Sequence, residues 1–125
     1  MDAAGHCPGG YDLEERTARF GEAVLALAKR VPDSPVNRPL ISQVVRAATS
    51  AGANYCEAND GVSKKDFRNK IGTCRKEAKE TKHWLRMLAA ADEPLRDDAR
   101  SLWREAKELN LMCAKIFRSC RPAGK

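Results

Sequence analysis

The amino-acid sequence predicts an all-α protein, an antiparallel up-down-up-down four-helix bundle. Three observations support this fold class. Along four stretches, apolar residues repeat with alternating steps of four and three, which is the spacing of one buried helix face. Short breaks separate the stretches, and short connections make consecutive helices antiparallel neighbours. No stretch alternates apolar and polar residues as a half-buried β-strand would.

The first helix is predicted to begin near Asp12, a favourable N-cap residue with Glu15 three positions later. Pro32 and Pro35 end it, because proline disrupts a helix interior. Its predicted core row is Leu13, Thr17, Phe20, Val24, Leu27 and Val31.

The second helix is predicted to begin around Arg38 or Pro39 and to end at Asp60-Gly61. Its apolar residues cover a wide arc and many are small, so we expect this helix to be central and to contact more than one neighbour. The arc consists of two adjacent rows: Leu40, Val44, Ala47, Ala51, Asn54 and Ala58, and Ile41, Val45, Ala48, Gly52 and Tyr55.

The third helix is predicted to follow Ser63, with Asp66 completing a capping pattern, and the segment Asp92-Glu93-Pro94 separates it from the fourth. The core row of the third helix is Phe67, Ile71, Cys74, Ala78, Thr81, Leu85 and Leu88. The core row of the fourth is Leu95, Ala99, Leu102, Ala106, Leu109, Cys113, Ile116 and Cys120.

The chain has 125 residues, which suits one domain, and we place the bundle at residues 12–121 with tails at 1–11 and 122–125. No apolar run is long enough to span a bilayer, and the first residues lack the pattern of a signal peptide. A cytoplasmic protein that does not enter membranes is therefore expected. The five cysteines are scattered without a CxxC pair, which favours structural thiols over a zinc site.

A second row of the third helix is basic at every position except one glycine. The protein as a whole is also basic, with a net charge of +6 and a pI of about 9.2. Because this row is roughly 30 Å long and holds no acid, it is expected to attract phosphate groups. The alternative is an ordinary solvated helix face. We call the row the basic stripe; its charged members are Lys65, Arg68, Arg75, Lys79, Lys82 and Arg86, and Gly72 interrupts them.

A further set of residues is expected at subunit contacts, because the apolar arcs are wider than one four-helix core requires. Trp84 would be the apolar anchor of such an interface. The alternative is that Trp84 packs inside its own bundle while the acids pair with lysines. The candidate oligomer-interface residues are Tyr55, Glu57, Glu77, Trp84 and Trp103.

The sequence offers little for catalysis. The segment from Glu80 to His83 has the Glu-x-x-His spacing of di-metal bundles, but His83 lies almost opposite the core row. The other histidine, His6, falls in the tail, so neither serves a cysteine nucleophile. We therefore predict a non-enzymatic protein without a metal, a cofactor or a small-molecule substrate.

Three segments resemble a known family: Asn54-Tyr55-x-Glu57-Ala58, Gly61-x-Ser63-Lys64-Lys65-Asp66-Phe67, and Ile71-x-x-Cys74-x-Lys76-Glu77-Ala78-x-Glu80-Thr81-x-x-Trp84-Leu85. This family of small four-helix bundle proteins is named for open reading frames in 23S ribosomal RNA intervening sequences. The resemblance implies a ring-shaped homopentamer. In relatives that accompany diversity-generating retroelements, it implies a positively charged barrel that binds nucleic acid and the reverse transcriptase.

Together these observations predict an oligomeric bundle that binds nucleic acid non-specifically through phosphates, with RNA favoured over DNA. The alternative is a protein–protein adaptor that docks an acidic partner, including an accessory role for a reverse transcriptase.

Overall fold

Four helices and one short turn make up this computed structural model, which describes residues 12–61 and 63–120. The helices are α1 (Leu13–Arg30), α2 (Asn37–Asn59), α3 (Lys64–Ala91) and α4 (Arg96–Ser119), and a 3₁₀ turn at Glu93–Leu95 precedes α4. The described ranges contain no strand, and the predicted four-helix bundle is confirmed. The predicted tails, 1–11 and 122–125, lie outside the described residues.

Two helices begin at the caps that the sequence predicts. The Asp12 carboxylate accepts a hydrogen bond from the backbone N–H of Glu15 at 3.2 Å, and α1 starts at the next residue. The Ser63 hydroxyl accepts one from the backbone N–H of Asp66 at 3.0 Å, and α3 starts at the next residue. In each case a side-chain oxygen satisfies a donor that has no partner within the helix.

The second helix begins at Asn37, one residue before the predicted start. The backbone N–H of Asn37 donates to the Ser34 hydroxyl at 3.0 Å, and its side-chain amide donates to the Pro32 carbonyl at 2.9 Å. These bonds to the preceding loop fix where the helix starts, and Pro39 falls in its first turn, where proline is tolerated.

The core forms where the predicted rows of the four helices meet. α2 packs against α3, and α3 against α4, along most of their lengths, whereas α1 packs mainly against α2. Ion pairs join α1 to α4: Arg16 binds Glu105 at 2.7 Å and Glu108 at 3.2 Å, and Arg30 binds Asp98 at 2.8 Å. The helices are therefore packed in the order in which the chain connects them, with α4 returning to α1.

Two thiols from facing helices meet inside this core. The Sγ atoms of Cys74 and Cys113 are 3.2 Å apart, and neither side chain is exposed. The hydrogen bond to Cys113, together with burial, raises the pKa of the Cys74 thiol, so Cys74 stays protonated at neutral pH. Both cysteines lie in the predicted core rows.

In the part of the chain that the structure describes, no helix combines the length and the apolar character needed to cross a membrane.

Candidate nucleic-acid interface

The two charged flanks of α3 face different neighbours. The acidic flank faces α2, where Arg46 donates a hydrogen bond to Glu77 at 3.2 Å and a second one to Glu80. The basic stripe lies on the other flank and faces α4. Because Glu77 and Glu80 are engaged by Arg46 of α2, these two acids are not available to neutralise the stripe.

One half of the stripe is built around Phe117 of α4. The guanidinium carbon of Arg68 lies 3.8 Å from the centre of the Phe117 ring, and that of Arg75 lies 4.9 Å from it. Gly72 makes this approach possible, since a Cβ atom there would lie 2.9 Å from a ring carbon of Phe117. The side chain of Asn110 donates to the backbone carbonyl of Arg75 at 2.8 Å and ties α4 to α3 at this point.

The other half of the stripe passes Trp103 of α4. The ammonium nitrogen of Lys82 lies 5.5 Å from the centre of the Trp103 ring, and that of Lys107 lies 5.7 Å from it. Both distances are within the range of a cation–π attraction. Trp103 is half-buried and lies between a lysine of α3 and a lysine of α4.

No carboxylate neutralises the stripe within residues 12–61 and 63–120, where none of its six basic side chains forms a salt bridge. Lys65, Lys79 and Arg86 are exposed. The Nε atom of Arg68 is buried and has no hydrogen-bond partner among the described residues. The stripe therefore keeps its full positive charge at the surface between α3 and α4.

At its Arg86 end the stripe opens into a groove of about 820 Å³ between the end of α3 and the start of α4. Glu93 is the acid in its lining, and it pairs with Arg96 at 3.5 Å. We call this the arginine groove, after the four arginines in its lining: Arg86, Arg96, Arg100 and Arg104. The remaining lining is apolar or aromatic: Leu85, Ala89, Ala90, Ala99 and Trp103.

Sequence reasoning identified the stripe on α3 but missed its counterpart on α4. The counterpart residues are spaced by three, four or seven positions, so they share one face of α4. This spacing is visible in the sequence and is the signal that identifies the row. The row mixes cations with aromatic and amide side chains, so its character is less uniform than that of the stripe. Its members are Arg96, Arg100, Trp103, Lys107, Asn110 and Phe117.

The family model of the 23S rRNA-intervening sequence protein matches residues 11–115. The chain belongs to this family. A solved structure described as a protein with unknown function from the S23 ribosomal protein family of Bacteroides thetaiotaomicron VPI-5482 is similar, with a TM-score of 0.74 and 29% sequence identity. The similarity covers 85% of this chain and 95% of that one. Among curated proteins no relative is found.

The family match includes the whole basic stripe and the whole arginine groove. Phe117, on which Arg68 and Arg75 are stacked, lies two residues beyond the match. The name of the family refers to ribosomal RNA sequences, and the solved relative is of unknown function, so neither assigns an activity.

Three of the candidate interface residues are engaged within the single chain. Tyr55 is only 1% exposed, so its side chain belongs to the core and has no surface left for a second subunit. Glu77 is 8% exposed and is held by Arg46. Glu57 is exposed and pairs with Lys70 at 2.8 Å. For Glu57, the structure therefore favours the alternative of an acid paired with a lysine.

The two tryptophans lie on opposite flanks of α3. Trp84 is half-buried on the flank that carries Glu77, and its ring meets that of His83 edge-on with centroids 4.9 Å apart. The indole N–H of Trp84 is buried and has no partner among the described residues. Trp103 lies in the arginine groove on the other flank, so the two rings do not belong to one surface.

In the described ranges no three His, Cys, Asp or Glu side chains lie close enough together to hold a metal ion. Of the Glu-x-x-His pair, Glu80 is bound by Arg46 and His83 is exposed beside Trp84.

Proposed function

We propose that this member of the 23S rRNA-intervening sequence protein family is a non-enzymatic protein that binds nucleic acid, RNA in preference to DNA, through phosphates. The basic stripe and the arginine groove form its binding surface.

The observation that carries this proposal is the separation of charge on α3. Glu77 and Glu80 are bound by Arg46 of α2, whereas the basic stripe on the opposite flank has no acidic partner in the described ranges. A line of unneutralised cations releases counterions from a phosphate backbone when it binds, and this release drives non-specific association. The basic residues of α4 widen the same surface.

Base-specific reading is not part of the proposal. Recognition of a base sequence needs side chains placed in a groove of the duplex, whereas the stripe consists of long cations along one helix edge. We propose RNA over DNA as the ligand because the family takes its name from 23S ribosomal RNA intervening sequences. A ribosomal RNA fragment is therefore the first ligand to test.

The test is a salt series with labelled RNA and with DNA of the same length. The variant Lys65→Gln, Lys79→Gln, Arg86→Gln removes three exposed charges of the stripe that are stacked on no ring. A control matched in net charge, Arg19→Gln, Lys29→Gln, Arg38→Gln, removes three exposed charges from α1 and the start of α2, where Arg19 is paired with Glu15 and Arg38 with Asp33. For single-stranded RNA we expect the slope of log affinity against log salt to fall by about 2 in the stripe variant and to stay unchanged in the control.

Two results would contradict the proposal. An equal loss in both variants would mean that binding follows net charge rather than the stripe. No binding at low salt would exclude nucleic acid and favour the protein–protein adaptor. Binding of an acidic protein partner would then be compared between the stripe variant and the control variant.

We also propose that the protein is a homo-oligomer with Trp84 at a subunit contact. The half-buried ring of Trp84 supports this, and so does its indole N–H, which has no acceptor among the described residues although buried indole N–H groups ordinarily find one. Light scattering should give a multiple of 13.8 kDa, and Trp84→Ala should lower the mass. A monomeric mass for the unaltered protein would exclude an oligomer. An unchanged mass in Trp84→Ala would mean that Trp84 packs within its own chain and not at a subunit contact.

A further inference from the structure

We propose that the arginine groove binds one unpaired nucleotide of a single-stranded RNA, with its base against Trp103 and its phosphates on the surrounding arginines. This inference rests on the proposed function and narrows it from nucleic acid in general to single strands.

The lining of the groove is partly apolar, which suits the base of a nucleotide and would not be needed to bind a phosphate alone. Its volume of about 820 Å³ falls within the roughly 300–1,000 Å³ typical of ligand sites. The apolar surface that a ligand can reach comes from Ala89 and Ala90, whose small side chains leave space, while Leu85 and Ala99 are buried beneath it. Phosphate contacts alone would gain nothing from this apolar interior.

The cations around the groove supply the complementary charge. Arg86, Arg100 and Arg104 are exposed and form no salt bridge within the described ranges, whereas Arg96 is paired with Glu93. Guanidinium groups bind phosphate oxygens in a bidentate manner, so three of them beside one cavity can hold the phosphates that flank a nucleotide.

Trp103 supplies the aromatic surface. Its ring lines the groove and lies between Lys82 and Lys107, whose ammonium groups are 5.5 and 5.7 Å from the ring centre. The phosphates on either side of a bound nucleotide would attract the ammonium groups of Lys82 and Lys107 to the RNA backbone. The face of the Trp103 ring would then be free to stack on the base. Stacking of unpaired bases on aromatic rings beside a cationic groove is the usual way in which proteins hold single strands.

A duplex cannot use this site in the same way. Its bases are paired and stacked inside the helix, so only its phosphates would reach the arginines. The inference therefore predicts two classes of contact, one shared by all nucleic acids and one that only an unpaired base can make.

The experiment uses the full chain and three probes at one salt concentration: a ten-nucleotide oligo(U), an abasic ribose-phosphate strand of equal length, and an RNA duplex. Trp103→Leu should weaken binding of oligo(U) about five- to a hundred-fold and leave the abasic strand and the duplex within two-fold. Trp103→Phe retains an aromatic ring and should restore most of the loss. In a Trp84→Phe background, oligo(U) but not the abasic strand should quench the fluorescence of Trp103.

The outcomes separate the inference from the proposed function. If no probe binds, both fail. If all three bind and Trp103→Leu weakens none, or weakens all equally with no rescue by Trp103→Phe, phosphate binding stands and the nucleotide site fails. A poly-glutamate peptide that quenches Trp103 and displaces oligo(U) at equal concentration would instead identify the groove as a site for an acidic protein segment.

Discussion

The guanidinium of Arg68 lies 3.8 Å from the centre of the Phe117 ring, and the buried Nε atom of Arg68 has no hydrogen-bond partner among the described residues. The arginine is thus held by the ring face rather than by a carboxylate. Arg75 lies 4.9 Å from the centre of the same ring, so one aromatic side chain of α4 positions two cations of α3. The Phe117 ring fixes the positions of the Arg68 and Arg75 side chains and leaves their charge intact, because an aromatic ring attracts a cation but does not neutralise it.

Phe117→Leu should lower the free energy of unfolding by about 1–2 kcal/mol, because leucine retains apolar bulk but not the ring face that attracts the two arginines. Urea unfolding measures the effect. In a background that carries Arg68→Gln and Arg75→Gln, the same substitution should cost clearly less, since the partners are already absent. An equal cost in both backgrounds would mean that Phe117 contributes packing alone.

Arg46→Met should destabilise the protein by about 1–3 kcal/mol, because it leaves the largely buried carboxylate of Glu77 without its partner. Adding Glu77→Gln should recover much of that loss, since a neutral amide is less costly to bury without a cationic partner. Thermal or urea unfolding of the two variants provides the comparison. Failure of the second substitution to recover stability would assign the effect to the methylene packing of Arg46 instead.

The raised pKa of Cys74 predicts a loss of stability in alkali. A thiol whose pKa in the folded state exceeds its ordinary value of 9.0 favours folding fully below pH 9. Above pH 9 the unfolded chain gains by ionising while the folded chain does not, so stability should fall by at most about 1.4 kcal/mol per pH unit for one such thiol. Urea unfolding between pH 8 and 10.5 should show this fall.

The double variant Cys74→Ala, Cys113→Ala is the control for the alkaline loss, because it removes the thiol pair and leaves every other ionisable group in place. Its stability should fall less steeply with pH than that of the unaltered protein. Equal slopes would mean that the thiol pair does not contribute.

Ser63→Ala should destabilise α3 by about 1 kcal/mol, since the backbone N–H of Asp66 would lose the hydroxyl that accepts its hydrogen bond. Ser63→Asp, which retains an acceptor at the same position, should cost far less. Hydrogen exchange at the first turn of α3 would check both variants, and equal exchange rates would show that the cap contributes little.

The fold could be predicted because each helix carries its own evidence. The rows at Leu13–Val31 and Ile71–Leu88 are buried as expected, and the caps at Asp12 and Ser63 form the predicted hydrogen bonds. The start of α2 was placed one residue late, because the side-chain bonds of Asn37 to the loop leave no regular sequence pattern.

The candidate site could be predicted only in part. Spacing identified the stripe on α3, but it does not say which neighbouring helix faces the stripe, since this depends on the order in which four helices close around a core. Spacing alone therefore groups Trp103 with Trp84, although Trp103 of α4 contacts the basic flank of α3 and Trp84 lies on the opposite flank. The wide apolar arc of α2 predicts a subunit contact at Tyr55, because periodicity does not show that the side chain of Tyr55 is buried within one chain.

On one flank of α3 Glu77 and Glu80 are bound by Arg46, whereas the basic stripe on the other flank forms no salt bridge within residues 12–61 and 63–120, and this separation of charge produces an electric dipole across a single helix. In the field of the proposed nucleic-acid partner, such a dipole would experience a torque that turns the α3–α4 side forward before contact. Electrostatic steering of this kind raises the rate of association at low ionic strength and has little effect on the rate of release. For the proposed nucleic-acid partner, the ion pairs of Arg46 therefore bear on the rate of capture, although Arg46 belongs to α2 and lies against the flank of α3 opposite the stripe.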